Sequence, residues 1–203
     1  MKILPPDDAG IEAALNILRD GGIVAHATET CYGLACDLSN ADAVAKLFRI
    51  KKRPETQPVS ALFASLDQAK EYLLWNDRAE ELAKELPGPL TLILPFRSDA
   101  PTSLFPIAPY MRADRTHVPI TVGLRLSPNP IARALVEQFG RPISTTSANL
   151  HGLPSPYSAK EIVAQYENED AKPDLILDSG ILERRNPSRI VDLSGTSESI
   201  LRP

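Results

Sequence analysis

Two hydrophobic periods alternate along this chain. Ile11, Ala14, Leu15 and Leu18 recur at i, i+3, i+4 and i+7, the stripe of an amphipathic helix. Gly21-Gly22 ends that helix, and Ile23-Val24-Ala25 reads as a short buried strand. Asn40 is placed to cap a second helix whose inner face is Val44, Leu47 and Phe48, with Pro54 as its stop. The pattern then predicts a strand over 59–64, helices over 67–74 and 77–86, a break at Pro87-Gly88-Pro89, and a buried strand over 90–95. A strand over 120–126 follows. Asn129-Pro130 opens the next helix and Gly140 closes it. Residues 142–145 read as strand, Ser158-Ala-Lys-Glu161 as a capping box, and 174–177, 189–193 and 199–201 as late strands. The alternation predicts an α/β fold, one domain over 1–203, with helices packed on a mixed sheet.

Composition narrows the class. The chain has 203 residues, 43% hydrophobic and 24% charged, which is globular rather than disordered. Lys plus Arg is 22 against 26 for Asp plus Glu, a net charge of −4, so binding to nucleic acid would have to rest on a local basic patch. No apolar run reaches membrane-spanning length, and MKILPPDDAG lacks the apolar stretch of a signal peptide. Two cysteines, Cys31 and Cys36, suffice for neither a disulfide framework nor a four-ligand zinc site. These features predict a cytoplasmic protein. Segment 97–119 holds Pro101, Pro106, Pro109 and Pro119 without periodicity, and reads equally as a surface excursion or as a lid.

Four places can carry chemistry. Thr28-Glu29-Thr30-Cys31-Tyr32-Gly33-Leu34 follows the first predicted strand, where α/β sheets bind ligands; the plain alternative is a turn with locally bonded threonines. Arg49, Lys51, Lys52 and Arg53 crowd the end of the second helix, more cations than a helix terminus needs, which points to an anionic ligand. Ser144-Thr145-Thr146-Ser147-Ala148-Asn149 gathers four hydroxyls and an amide after a strand. Alternation sends Thr121, Gly123 and Arg125 to one strand face, and Arg125, if buried, needs an internal or a substrate carboxylate. The chain contains neither GxxxxGK(S/T) nor GxGxxG, and no GxSxG elbow. His26, His117 and His151 are isolated and read as surface or core residues, and the cysteines as structural.

In order and spacing, these segments resemble the YrdC/YciO family. The marks are Thr28-Glu-Thr30-Cys-Tyr32-Gly-Leu, Lys51-Lys-Arg53-Pro54, Leu86-Pro-Gly-Pro-Leu-Thr91, Val122-Gly-Leu-Arg125, Ser147-Ala-Asn149, Pro187-Ser188-Arg189-Ile-Val-Asp192 and Leu201-Arg202-Pro203. The resemblance implies a strongly twisted α/β sheet around a deep, positively lined cavity, in the family's short form. It implies formation of threonylcarbamoyl-AMP from L-threonine, bicarbonate and ATP, releasing pyrophosphate, with Mg²⁺ carried on the ATP phosphates. The product would serve N6-threonylcarbamoylation of adenosine 37 in tRNA through downstream transfer proteins; tRNA or double-stranded RNA is a further implied partner.

Residue by residue, the resemblance makes Lys51 and Arg53 catalytic and places them on the triphosphate. Gln57, Thr121, Ser147, Asn149 and Ser155 would line the ATP site, with Arg202 closing over it. Thr30, Arg125, Thr145 and Ser188 would surround the threonine, Arg125 facing its carboxylate, with Tyr32 in the wall. His26-Ala27 stands where the family usually has Tyr-Pro, Gln57 where Asn is frequent, and Leu62 where some members carry His. Residues 111–115 lean toward the YciO branch. Two other readings stay open: an RNA-binding or ribosome-associated module without catalysis, and a YciO-type enzyme with a different substrate.

Overall fold

The predicted stripes and runs assemble around one sheet in a computed structural model that describes residues 1–53, 59–97, 99–100 and 121–203. The strands are β1 (Lys2–Leu4), β2 (Val24–Ala27), β3 (Tyr32–Ala35), β4 (Ser60–Leu62), β5 (Leu90–Pro95), β6 (Thr121–Arg125), β7 (Ile143–Ser147), β8 (Leu175–Leu177), β9 (Arg189–Asp192) and β10 (Ser199–Arg202). They lie in the order β1-β8-β2-β3-β7-β4-β6-β5-β9-β10, with parallel and antiparallel pairs mixed. The helices are α1 (Asp8–Arg19), α2 (Ala41–Lys51), α3 (Leu66–Tyr72), α4 (Asp77–Leu82), α5 (Pro130–Phe139) and α6 (Ala159–Tyr166). None of the described helices is long and apolar enough to cross a membrane.

The caps read from the sequence form. Asn40 accepts from the backbone N–H of Asp42 and Ala43, and Asn129 from Ile131 and Ala132. Gly140 ends α5 at φ 80°, a conformation that glycine adopts without steric cost. Ser158 accepts from Glu161 N–H, but the Glu161 carboxylate accepts from Tyr157 N–H, one residue ahead of the usual capping-box partner.

Two strands escaped the pattern. β1 has three residues at the sheet edge, too few for a period to register. β3 lies inside the run read as a turn; only 28–31 is the turn, and Tyr32–Ala35 is a central strand buried on both faces, so its polarity does not alternate. The helix expected over 77–86 stops at Leu82 and tightens into a 3₁₀ turn, Ala83–Glu85. The strand expected over 142–145 runs on to Ser147. Gln57, His117, residues 111–115 and all of 97–119 except Arg97, Asp99 and Ala100 lie outside the described residues.

The sheet's two faces are treated differently. On one, Tyr32, Leu34, Ala61, Leu92, Val122, Leu124 and Val191 join side chains of α2, α3, α4 and α6 in the larger core. On the other, Val24, Ala35, Leu62, Ile143, Leu175 and Leu177 join Ile11, Leu15 and Leu18 of α1 and Ala132, Leu135 and Phe139 of α5. Among the described residues, this second core reaches β4 and takes nothing from β6, β5 or β9. Where it ends, the same face turns polar.

Candidate active site

The polar part of that face is a register-matched floor. Pairing aligns Thr145 of β7 with Ser60 of β4, Ser60 with Gly123 of β6, Gly123 with Ile93 of β5, and Ile93 with Asp192 of β9. Strand alternation adds Thr91, Thr121, Arg125, Ser147 and Ile190 to the same side. All of these line one hollow of about 460 Å³. Gly123 leaves room at its centre: a Cβ there would stand 2.6 Å from Ser60 Oγ and 3.2 Å from both Ser60 Cβ and Thr91 Cγ2.

The rim comes from loops. Thr28 braces the turn before β3: its hydroxyl donates to Cys31 O and accepts from the backbone N–H groups of Thr30 and Cys31. That turn delivers Thr30 and Cys31 to the hollow. The Cys31 thiol bonds with Ser155 and Thr30, and burial raises its pKa, so it stays protonated at neutral pH and is no nucleophile. Cys36, read with it as structural, is buried and its thiol is pushed up to about 12.

The end of α2 separates the basic run. Lys52 N–H bonds Arg49 O and Arg53 N–H bonds Phe48 O, a Schellman closure with Lys52 at φ 49° where glycine is usual. Lys52 turns outward to pair with Glu169, Arg53 reaches the hollow, and Lys51 goes inward, 4% exposed. Lys51 Nζ donates to Ser147 O at 2.5 Å and to Asn149 Oδ1 at 3.1 Å. Asn149 also accepts from Ser147 Oγ at 2.5 Å, and its amide donates to Leu150 O and Leu153 O. Burial, with Arg53 next, lowers the Lys51 pKa to about 8. An anion arriving beside it would favour the charged form again.

A second cationic group also lines the hollow. Arg202 donates through Nε to Ser188 O at 2.6 Å and through Nη2 to Ser188 Oγ at 2.9 Å, and Ser188 Oγ is 3.0 Å from Thr91 Oγ1. Arg125, 12% exposed, answers the open question about its partner: it is ion-paired with Glu29. Among the described lining residues, three arginines (53, 125 and 202) face one carboxylate, Asp192.

The structure therefore brings Thr30, Arg53, Thr121, Arg125, Thr145, Ser147, Ser155, Ser188 and Arg202 to one hollow, from seven separate stretches of chain. Lys51 and Asn149 stand directly behind Ser147. Tyr32 is the exception: its ring lies in the larger core and its hydroxyl donates to Gly180 O at 2.9 Å, so it is not part of the lining wall. The sequence reading missed Ser60, Thr91, Ile93, Ile190 and Asp192 as lining residues. Their signal was alternation within β4, β5 and β9, invisible until pairing says which face is open. His26 is a core residue: its Nδ1 faces Ala27 O, and burial pushes its pKa down to about 4, leaving it neutral. His151 is exposed.

Comparison with known proteins bears on this site. The family model Sua5/YciO/YrdC, described as "Telomere recombination", matches residues 16–203. A Bacillus subtilis threonylcarbamoyl-AMP synthase is 34% identical over 205 residues, which is 98% of this chain but 55% of the relative. The chain thus spans about half the length of that relative. The structure of P. abyssi Sua5 complexed with L-threonine superimposes with a TM-score of 0.82 at 32% identity, covering 100% of this chain and 56% of the other. E. coli YciO superimposes with a TM-score of 0.79 at 28% identity, covering 99% and 93%.

Proposed function

This chain belongs to the Sua5/YciO/YrdC family, and on that premise we propose that it joins L-threonine, bicarbonate and ATP into threonylcarbamoyl-AMP. Pyrophosphate and water are the other products. The threonine amine attacks the carbon of bicarbonate, with loss of water, or that of CO₂, with loss of a proton, giving a carbamate. A carbamate oxygen then attacks the α-phosphorus in line, and the bond to pyrophosphate breaks. The substrates bring their own nucleophiles, so the protein's task is to hold them and to offset charge.

The observation that carries this reading is the convergence of Arg53 and Ser147, with Lys51 and Asn149 bonded behind Ser147, on the same hollow as Thr30, Arg125, Thr145 and Ser188. Lys51 and Arg53 hold the triphosphate, and hydrogen bonds between charged groups of this kind contribute about 1.5–3 kcal/mol each. Thr121, Ser147, Ser155 and Arg202 line the nucleotide, with Asn149 fixing Ser147. Arg125 takes the threonine carboxylate. Mg²⁺ enters on the phosphates; among the described residues no group of three His, Cys, Asp or Glu side chains is arranged to hold a metal. The adenylate serves N6-threonylcarbamoylation of adenosine 37 in tRNA through separate transfer proteins.

The competing reading as a non-catalytic RNA-binding module needs the basic run to face outward together. Instead Lys51 is buried, Arg53 lines the hollow and Lys52 is paired with Glu169. A reaction containing purified protein, ATP·Mg²⁺, L-threonine and bicarbonate tests the proposal, with mass detection of the adenylate and a pyrophosphate assay. Threonine-dependent adenylate supports it. Folded protein that makes none, or that prefers another amine from a substrate panel, overturns it.

A further inference from the structure

Glu29 is the only member of the Thr28–Cys31 turn whose side chain has no evident task in the reading above. It does not line the hollow. Its side chain is 7% exposed and borders a second cavity with Thr28, Thr30, Pro128 and Asn129. One oxygen is ion-paired with Arg125 Nη2, and the other accepts from Ser127 Oγ. Ser127 Oγ in turn accepts from Asn129 N–H, and Asn129 caps α5. The carboxylate therefore ties three elements together: the turn before β3, the end of β6 and the start of α5.

We propose that Glu29 is a positioning residue that holds Arg125 in the plane and place where it receives the carboxylate of the amino-acid substrate. The inference rests on the proposed function and adds to it the residue that prepares the amino-acid end of the site. The argument is geometric and electrostatic. Arg125 lines the hollow from a strand, between the buried Val122-Gly-Leu124 and Leu126, with its side chain 12% exposed. A carboxylate on one nitrogen fixes the orientation of the remaining planar donors. Among the described residues, no acceptor reaches the buried Arg125 Nε, so the head group is incompletely satisfied by them. The carboxylate also offsets the charge of Arg125 in its buried setting. Neighbouring His26 stays neutral and adds no second cation there.

The test is steady-state kinetics with the full chain, varying threonine and ATP separately, together with calorimetric titration of threonine. Glu29→Gln should raise the threonine KM and Kd by tenfold or more, leave the ATP KM within twofold, and lower kcat at saturating threonine by less than threefold. Ser127→Ala removes only the second tether and should give a smaller shift, two- to fivefold, in the same direction. In an Arg125→Ala background, Glu29→Gln should add no further loss, because Glu29 acts through that side chain. A merely structural role would instead move both KM values together, or add its loss to that of Arg125→Ala; either result overturns the proposal. Ser127→Ala keeps the test decisive if Glu29→Gln fails to fold, since an unchanged threonine KM in that variant also overturns it. A wild-type chain that neither binds nor turns over threonine overturns the functional reading, and this inference with it. An active wild type with an unshifted Glu29→Gln overturns the positioning role alone.

Discussion

The same face of one sheet does two jobs. Toward β2, β3 and β8 its alternate residues are Val24, Ala35, Leu175 and Leu177, and α1 and α5 close over them. Toward β6, β5 and β9 its alternate residues are Thr121, Gly123, Arg125, Thr91, Ile93, Ile190 and Asp192, and they line the hollow. Backbone pleat is common to both halves. What differs is the side-chain chemistry that the pleat presents. Apolar positions gain from helical cover because burial removes them from water. Hydroxyls and arginines covered by an apolar helix would lose hydration without new partners. The boundary between fold and site is thus a boundary in side-chain type along a continuous ladder of strands.

Variants can push on that contrast from either side. The largest effect belongs to the open half: Lys51→Ala or Arg53→Ala should cut adenylate formation by about 10²–10³-fold, with a native circular dichroism spectrum. Activity retained in both would show that the polar half is not the working half. Leu135→Ala attacks the covered half. Leu135 is fully buried in the second core, so the change should cost about 2–5 kcal/mol in urea unfolding, while the folded protein keeps its KM values. Gly123→Val fills the floor against Ser60 and Thr91. It should raise the ATP KM by about tenfold or more, an overpacking penalty of about 1–3 kcal/mol appearing in binding and partly in stability.

A gentler probe is pH. Lys51 titrates near 8 in the folded chain, lowered from 10.5. Above about 8 its ammonium is lost, so kcat/KM for ATP should fall as pH rises through that value, and Lys51→Arg should remove the fall from the profile. The stability effect has the opposite sign. Between about 8 and 10.5 the unfolded chain keeps the proton that the folded chain releases, so this group makes folding more favourable as pH rises across that window. The smallest effect is expected at Lys52→Gly. Glycine relieves the left-handed backbone at φ 49° but loses the exposed ion pair with Glu169. Stability should change by less than about 1 kcal/mol, and turnover should stay within twofold.

Much of this molecule was readable in advance. Helix ends were the clearest, because caps are local: Asn40, Asn129-Pro130, Gly140 and Ser158 each act within a few residues of themselves. Strand β3 was misread because a strand buried on both faces shows no alternation and its Gly33 suggests a turn. The basic run at 49–53 was legible as unusual, but not the division of its four cations among solvent, core and hollow. That division depends on the Schellman closure at Lys52, whose left-handed residue is not the glycine that would have announced it. Asp192 and Thr91 stood inside quoted motifs, but nothing local to them said that they would line the hollow.

The linear order of residues alone determined most element types, the helix caps, the family and nine of the twenty described residues that line the hollow, because propensity, capping and motif spacing are properties of neighbouring residues. Only the tertiary structure decided which partner each buried charge would have. Glu29 is 96 positions from Arg125, and Ser147 is 96 positions from Lys51. Tertiary packing also decided that Tyr32 belongs to the core and that the polar half of one sheet face is left open as a site. Those outcomes depend on strand pairing across the whole chain, and an ion pair or a cavity has no existence until distant segments are brought within hydrogen-bonding distance.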